Sequence, residues 1–344
     1  MTDPVLVEVT RGALVESRHR GAIVVVDAGG KIRAAIGDTG QAVFPRSAVK
    51  ALQALPLVES GAADRYGFGA AELALACASH GGEPRHVEMA MRMLEAAGCT
   101  AADLECGAHT PIDRAAADAL VRAGVPPSTL HNNCSGKHAG FICVACHAGI
   151  NPAGYVGPDH PAQREVTAAL AEMTDTALGP EVRAVDGCSI PTYAIPLDRL
   201  ALAFARLVTG EGLAPARARA AERLVAACVA EPFMVAGTGR FDTDAMSLFG
   251  RRLFVKTGAE GAYCGAFPGL GLGVALKCED GAGRASEVLM AAVIEAFLQP
   301  TEEENAAFAD RLIAPVLSRL GREVGEVRPV AGLVEALRAG RSVS

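Results

Sequence analysis

The chain has 344 residues, half of them hydrophobic and 21% charged, with a formal net charge of −7. That composition supports a large core and excludes a disordered chain, and the negative balance argues against nucleic acid or an anionic membrane as partner. No apolar run approaches the roughly 20 residues that span a bilayer, and Met1-Thr2-Asp3-Pro4 leads into an alternating pattern with no secretory leader. The expected location is therefore the cytoplasm, and the ten cysteines are expected as thiols or metal ligands, not disulfides.

Residues 4–10 alternate and read as a strand. Ala22 to Asp27 is a second strand, residues 28–31 a turn, and Ile32 to Ile36 a third strand, so the chain opens on a hairpin. No glycine-rich phosphate loop opens a helix after it. From Ser47 the pattern turns helical: Leu52, Leu55 and Val58 continue a stripe interrupted by Pro56. Ala70 to Ala78 reads as a short helix, and further helices are expected at about 85–97, 113–123, 137–149, 160–173, 197–208 and 215–230. The stretch 230–283 reads as β-rich, helices follow at about 285–298 and 304–320, and a Gly/Arg-rich tail begins near 321. Strands at both ends with helices between them give an α+β class: an antiparallel sheet flanked by helices. The expected organisation is one catalytic domain over 1–344, its terminal strands sharing the sheet and its mostly helical part covering about 45–230.

Five stretches concentrate reactive groups. Ser47-x-x-Lys50 opens a helical run, where residues three apart share a face, and a lysine kept neutral can take a serine proton; an ordinary helix start looks the same. Lys256-Thr257-Gly258 ends a C-terminal strand. An S-x-x-K helix start with a downstream K-T-G strand is the combination of serine β-lactamases and penicillin-binding proteins. Here S-D-N is missing, as is a Glu placed as deacylating base, which points away from a β-lactamase. Ser79-His80-Gly81-Gly82 offers a second hydroxyl, or a plain helix cap. His131-Asn132-Asn133-Cys134-Ser135-Gly136-Lys137-His138 packs amide, thiol, hydroxyl, amine and imidazole groups into one turn; it lacks the first glycine of a P-loop, so nucleotide binding is set aside. Asp186-Gly187-Cys188 places a carboxylate beside a thiol. Cys134 and Cys188 are candidate soft ligands for zinc, with Lys137, if neutral, or His138 as third donor; two unlinked core thiols are the plainer alternative. Cys143-Val144-Ala145-Cys146-His147 matches a haem-attachment pattern but lies in an apolar helical run and reads as a packed face. Asp159-His160-Pro161 reads as a helix start capped by Asp159.

Together these segments closely resemble the rhizobial-type L-asparaginases, the asparaginase II family. The likeness runs over nearly the whole chain, including Ala236-Gly237-Thr238-Gly239-Arg240 and Arg322 to Pro329. The resemblance implies a fold related to serine β-lactamases and glutaminases. It implies two serine–lysine pairs in one pocket, Ser47 with Lys50 and Ser79 with Lys256. It implies zinc on Cys134, Lys137 and Cys188, helping substrate binding, with Asp186, Arg46 and His138 nearby as substrate-binding groups, and a homodimer.

Hydrolysis of an amide needs an oxygen nucleophile, a held oxyanion and a protonated leaving ammonia. Ser47 is the candidate nucleophile, or the group that orients a water, and Lys50 its base if burial or a neighbouring cation such as Arg46 or Lys256 lowers its pKa. The leading expectation is conversion of L-asparagine to L-aspartate and ammonia. A glutaminase or β-lactam hydrolase shares the frame, because one methylene discriminates by only about 1–3 kcal/mol, and a zinc-dependent binding protein is the non-enzyme alternative.

Overall fold

A computed structural model describes residues 2–340. The chain divides into two units, one of Met1–Ala48, Ile195–Arg206 and Val255–Ser344, the other of Val49–Ala194 and Leu207–Phe254.

The first unit is built on an antiparallel sheet. Its strands are β1 (Val5–Arg11), β2 (Leu14–Asp27), β3 (Ile32–Ile36), β4 (Phe254–Thr257), β5 (Ala262–Phe267), β6 (Leu272–Cys278), β7 (Ala314–Leu317) and β8 (Glu323–Pro329). Their order is β7-β8-β1-β2-β6-β5-β4, with β3 pairing on β2. Strands from the two chain ends thus share one sheet, and Val7 lies opposite Pro329. The long β2 pairs through residues 14–20 with β1 and through 21–27 with β6. Ala22 to Val26 are all buried, a continuous apolar run of the kind found where both faces are covered. The helix Gly283–Leu298 crosses the sheet, and nearly every side chain from Ala285 to Ile294 is buried, because the helices Glu302–Leu312 and Leu333–Ala339 pack on it as well. A helix apolar all round demands such cover.

The second unit is helical. Its hub is the helix Ser135–His147, in which residues 135–145 are buried without exception. Around it pack Ala70–Ala76, Pro84–Ala96 and Pro161–Thr174. A two-stranded ribbon, Arg183–Val185 with Pro191–Tyr193, closes the turn that carries Cys188.

The expected α+β class and the shared terminal sheet are present. Several elements differ from expectation. Ser47 does not open an α-helix: Arg46–Val49 is a 3₁₀ turn, and the α-helix begins at Lys50. The stretch 230–250 is helical (Pro232–Val235 and Phe241–Phe249), and only 254–278 is β; helices this short do not complete enough turns to display a period. The helix expected to reach 320 ends at Leu312, where the chain turns into β7, and the tail beyond 321 forms β8 and the helix Leu333–Ala339. Residues 341–344 of that tail lie outside the described residues. The helix Pro161–Thr174 is capped by His160, whose Nδ1 accepts from the Ala162 N–H, instead of by Asp159.

Candidate active site

In the first unit, a short ribbon of Ala42–Val43 with Ile195–Pro196 delivers the chain to Pro45-Arg46-Ser47. The Pro45 carbonyl accepts the Ala48 N–H at 3.0 Å and closes the 3₁₀ turn on which Ser47 sits, half-buried. The end of β4 lies against the same carbonyl. A Cβ on Gly258 would come within 2.6 Å of the Pro45 oxygen, so only glycine permits this approach. Lys256 is fully buried in β4, with its Nζ 2.9 Å from the Thr257 carbonyl. The K-T-G segment and the serine turn therefore meet within this unit.

In the second unit, Lys50 is buried and donates to the Ala78 carbonyl at 2.5 Å and to the Asn133 carbonyl at 3.3 Å. These partners flank Ser79 and Cys134. Ser79 is itself buried, its N–H bound to the Val235 carbonyl at 2.9 Å and its Oγ accepting from Asn133 Nδ2 at 3.2 Å. The next residue, His80, accepts the Gly82 N–H on Nδ1 and so donates from Nε2 to Ser135 Oγ at 2.9 Å. Burial, with His86 and Lys50 nearby, keeps His80 well below the usual histidine range and hence neutral. Glu83 ends the same segment and binds both the N–H and the hydroxyl of Thr238, at 2.8 and 2.7 Å.

The helix Ser135–His147 approaches Ala70–Ala76 so closely that a Cβ on Gly136 would lie 2.4 Å from the Leu75 carbonyl oxygen. That approach sets Cys134 and Lys137 in the interior. Lys137 Nζ is 3.1 Å from Cys188 Sγ. The Asp186 carboxylate accepts the Cys188 N–H at 3.2 Å and shapes its turn. Cys134, Lys137 and Cys188 are each exposed by 5% or less. A hydrogen bond from Cys188, with the charges of Lys50 and Lys137, holds the Cys134 thiol well below its ordinary pKa despite burial. The same bond and burial push Cys188 up. At Lys137, burial works against the ammonium, but the sulfurs of Cys188 and Cys134 and the Asp186 carboxylate outweigh it and the amine is raised. Burial is the main influence on Lys50, whose pKa falls with help from the Lys137 charge, in spite of Cys134.

His138 is completely buried beside this group. Its Nδ1 is 2.7 Å from the Tyr155 hydroxyl, its Nε2 has no hydrogen-bond partner among the described residues, and burial with the two lysine charges keeps it neutral. Among the described residues no three His, Cys, Asp or Glu side chains converge as a metal site. Two thiols and an amine do converge, and this soft N/S donor set fits zinc once its protons are lost. Cys143 of the haem-like pattern is buried, its thiol on the Met93 carbonyl, as a packed helix face requires.

Five non-glycine residues among those described have positive φ, and three of them, Arg46, Ser189 and Glu260, fall in these segments. Such a conformation costs about 1–3 kcal/mol and persists where the surroundings enforce it, often at functional sites.

The family model for L-asparaginase II matches residues 7–329. The chain belongs to the L-asparaginase II family. No curated protein matches it. As a member of that family it is an amidohydrolase of the asparagine-hydrolysing kind, acting on a small-molecule amide. Within this L-asparaginase II chain, sequence reasoning singled out Lys50, Ser79, Cys134, Lys137, His138 and Cys188, which the structure gathers in the second unit, but it did not name Tyr155 and gave no role to Asn133 or Glu83. The only signal for Asn133 and Glu83 was adjacency to Cys134 and to Ser79-His80.

Proposed function

We propose that the protein hydrolyses L-asparagine to L-aspartate and ammonia through serine–lysine chemistry, with zinc held by Cys134, Lys137 and Cys188. The observation that carries the reading is the convergence of Lys50, Cys134, Lys137 and Cys188 beside Ser79 in a buried, cation-rich setting, in a chain of this family. Ser47 is the proposed nucleophile and Lys50 its base. Lowering the Lys50 pKa by burial favours the neutral amine that a base needs. The attacking oxygen adds to the amide carbon, its proton passes to the lysine, and the same proton is then available to the departing ammonia. Ser79 and Lys256 form the second proposed pair. Arg46, His138 and Asp186 are the proposed contacts for the charged ends of the amino acid. Zinc, when bound, would add fixed positive charge near the substrate's carboxylate.

Ammonia release from asparagine, glutamine and the chromogenic β-lactam nitrocefin tests the activity. Turnover of asparagine is expected, and turnover of nitrocefin alone would overturn the reading. Full ammonia release by both Ser47→Ala and Ser79→Ala would refute serine–lysine chemistry. Elemental analysis is expected to find zinc in the wild type and to lose it in Cys134→Ala.

The protein is further proposed to be a cytoplasmic homodimer. The helix Arg114–Ala123 has no buried residue, and Ile112, Val121 and Val125 around it are exposed, which suits an interface. Light scattering on the purified protein checks the mass.

A further inference from the structure

Asn133 precedes Cys134, and each of its polar groups apart from its own N–H binds a different part of the second unit. Its carbonyl accepts Lys50 Nζ at 3.3 Å and the His80 N–H at 3.3 Å. Its side-chain Nδ2 donates to Ser79 Oγ at 3.2 Å, and its Oδ1 lies 3.3 Å from Cys134 Sγ. An amide is planar, and its oxygen and nitrogen sit at a fixed separation. A displacement of the partner at one end is therefore passed rigidly to the other. A serine hydroxyl has one proton and two lone pairs. When Asn133 occupies one lone pair, the proton is turned away from the asparagine. We infer that Asn133 is a positioning residue: its amide fixes the Ser79 hydroxyl relative to the Cys134 sulfur, while its carbonyl holds Lys50 beside them.

The inference rests on the proposed reading that Ser79 and Cys134 serve amide hydrolysis. It assigns to one side chain the link between the serine and the donor set suited to zinc. His80 supports the link from behind, since its N–H is on the Asn133 carbonyl and its Nε2–H is on Ser135. Residues that orient ligands in this way typically change metal affinity or activity by about 10–100-fold when removed.

The test uses Asn133→Ala, which keeps the carbonyl, and the isosteric Asn133→Asp, which turns the donor facing Ser79 into an acceptor. Each is combined with Ser79→Ala. Asparagine turnover should fall about 10–100-fold in kcat in both single variants, with KM changed less than about threefold. Adding Asn133→Ala to Ser79→Ala should cost little more, because the amide acts through that hydroxyl. Zinc affinity, measured by competition with a chromophoric chelator, should shift about tenfold in Asn133→Ala while the thermal midpoint stays near wild type. Wild-type kcat in both variants, or a loss that multiplies fully with Ser79→Ala, would overturn the inference. If the wild type releases no ammonia, the functional reading fails on its own, and the zinc measurement decides the inference: unchanged affinity in Asn133→Ala overturns it.

Discussion

Gly136 and Gly140 lie one turn apart on the same buried helix, and the structure predicts opposite outcomes for their replacement by alanine. At Gly136 a Cβ would sit 2.4 Å from the Leu75 carbonyl oxygen and 2.5 Å from its Cγ. Ordinary contact needs about 1 Å more, and the obstacle includes backbone, so the helix itself must retreat. Overpacking of this kind costs about 1–3 kcal/mol, and the backbone contact puts this case at the upper end. Alanine's better helix propensity returns about 1 kcal/mol. The net is a loss of about 2 kcal/mol, or about 4–8 °C in thermal midpoint for a unit of this size. Gly140 meets only Leu57 Cδ2 at 3.4 Å and the Ala76 Cβ at 3.7 Å, so there the propensity term stands alone and the variant should be neutral or gain up to about 1 kcal/mol. Because Cys134 and Lys137 ride on the displaced end, the proposed zinc site should also bind more weakly in Gly136→Ala, while in Gly140→Ala it should not. Calorimetry and chelator competition read both effects. Equal midpoints for the two variants would refute the close-approach argument.

His80 and His86 are neutral because burial depresses both, His80 further through His86. Their folded pKa values lie below the unfolded value of about 6.5, so stability is complete above that pH and is lost as the pH falls toward the depressed values. The loss between pH 7.5 and 5.5 is at most about 1.4 kcal/mol for each; urea unfolding should show stability falling over that range, and His86→Gln should make the fall shallower. Glu83→Gln replaces one of the acceptors facing Thr238 with a donor and should cost about 1–3 kcal/mol; an unchanged midpoint in thermal unfolding would contradict that account.

The antiparallel sheet and most long helices were readable because their apolar residues keep a period over many positions. The first half of β2 was not, since Leu14 to Arg20 is largely exposed and carries no apolar alternation. Cys134, Lys137 and Cys188 were readable as candidates from residue type alone. Their geometry was not: that Lys50 reaches the carbonyls of Ala78 and Asn133, and that Ser47 rides a 3₁₀ turn, depends on packing from segments far along the chain. Asn133 shows the limit most clearly. Asparagine is common in turns, and its role emerges only when Ser79, His80 and Lys50, which lie at least 53 residues away in sequence, are brought to it.

The pairing of β1 with β8 also bears on how the protein is made. Val9 faces Val327, so a strand waits for a partner that is translated 318 residues after it. Until then β1 has an open edge of the kind that recruits other chains. Residues 49–194, by contrast, emerge as one block and contain the segments of Ser79, Cys134 and Cys188. A message truncated shortly before codon 323 would still encode those cysteines but would leave the edge bare, and its product should collect in inclusion bodies.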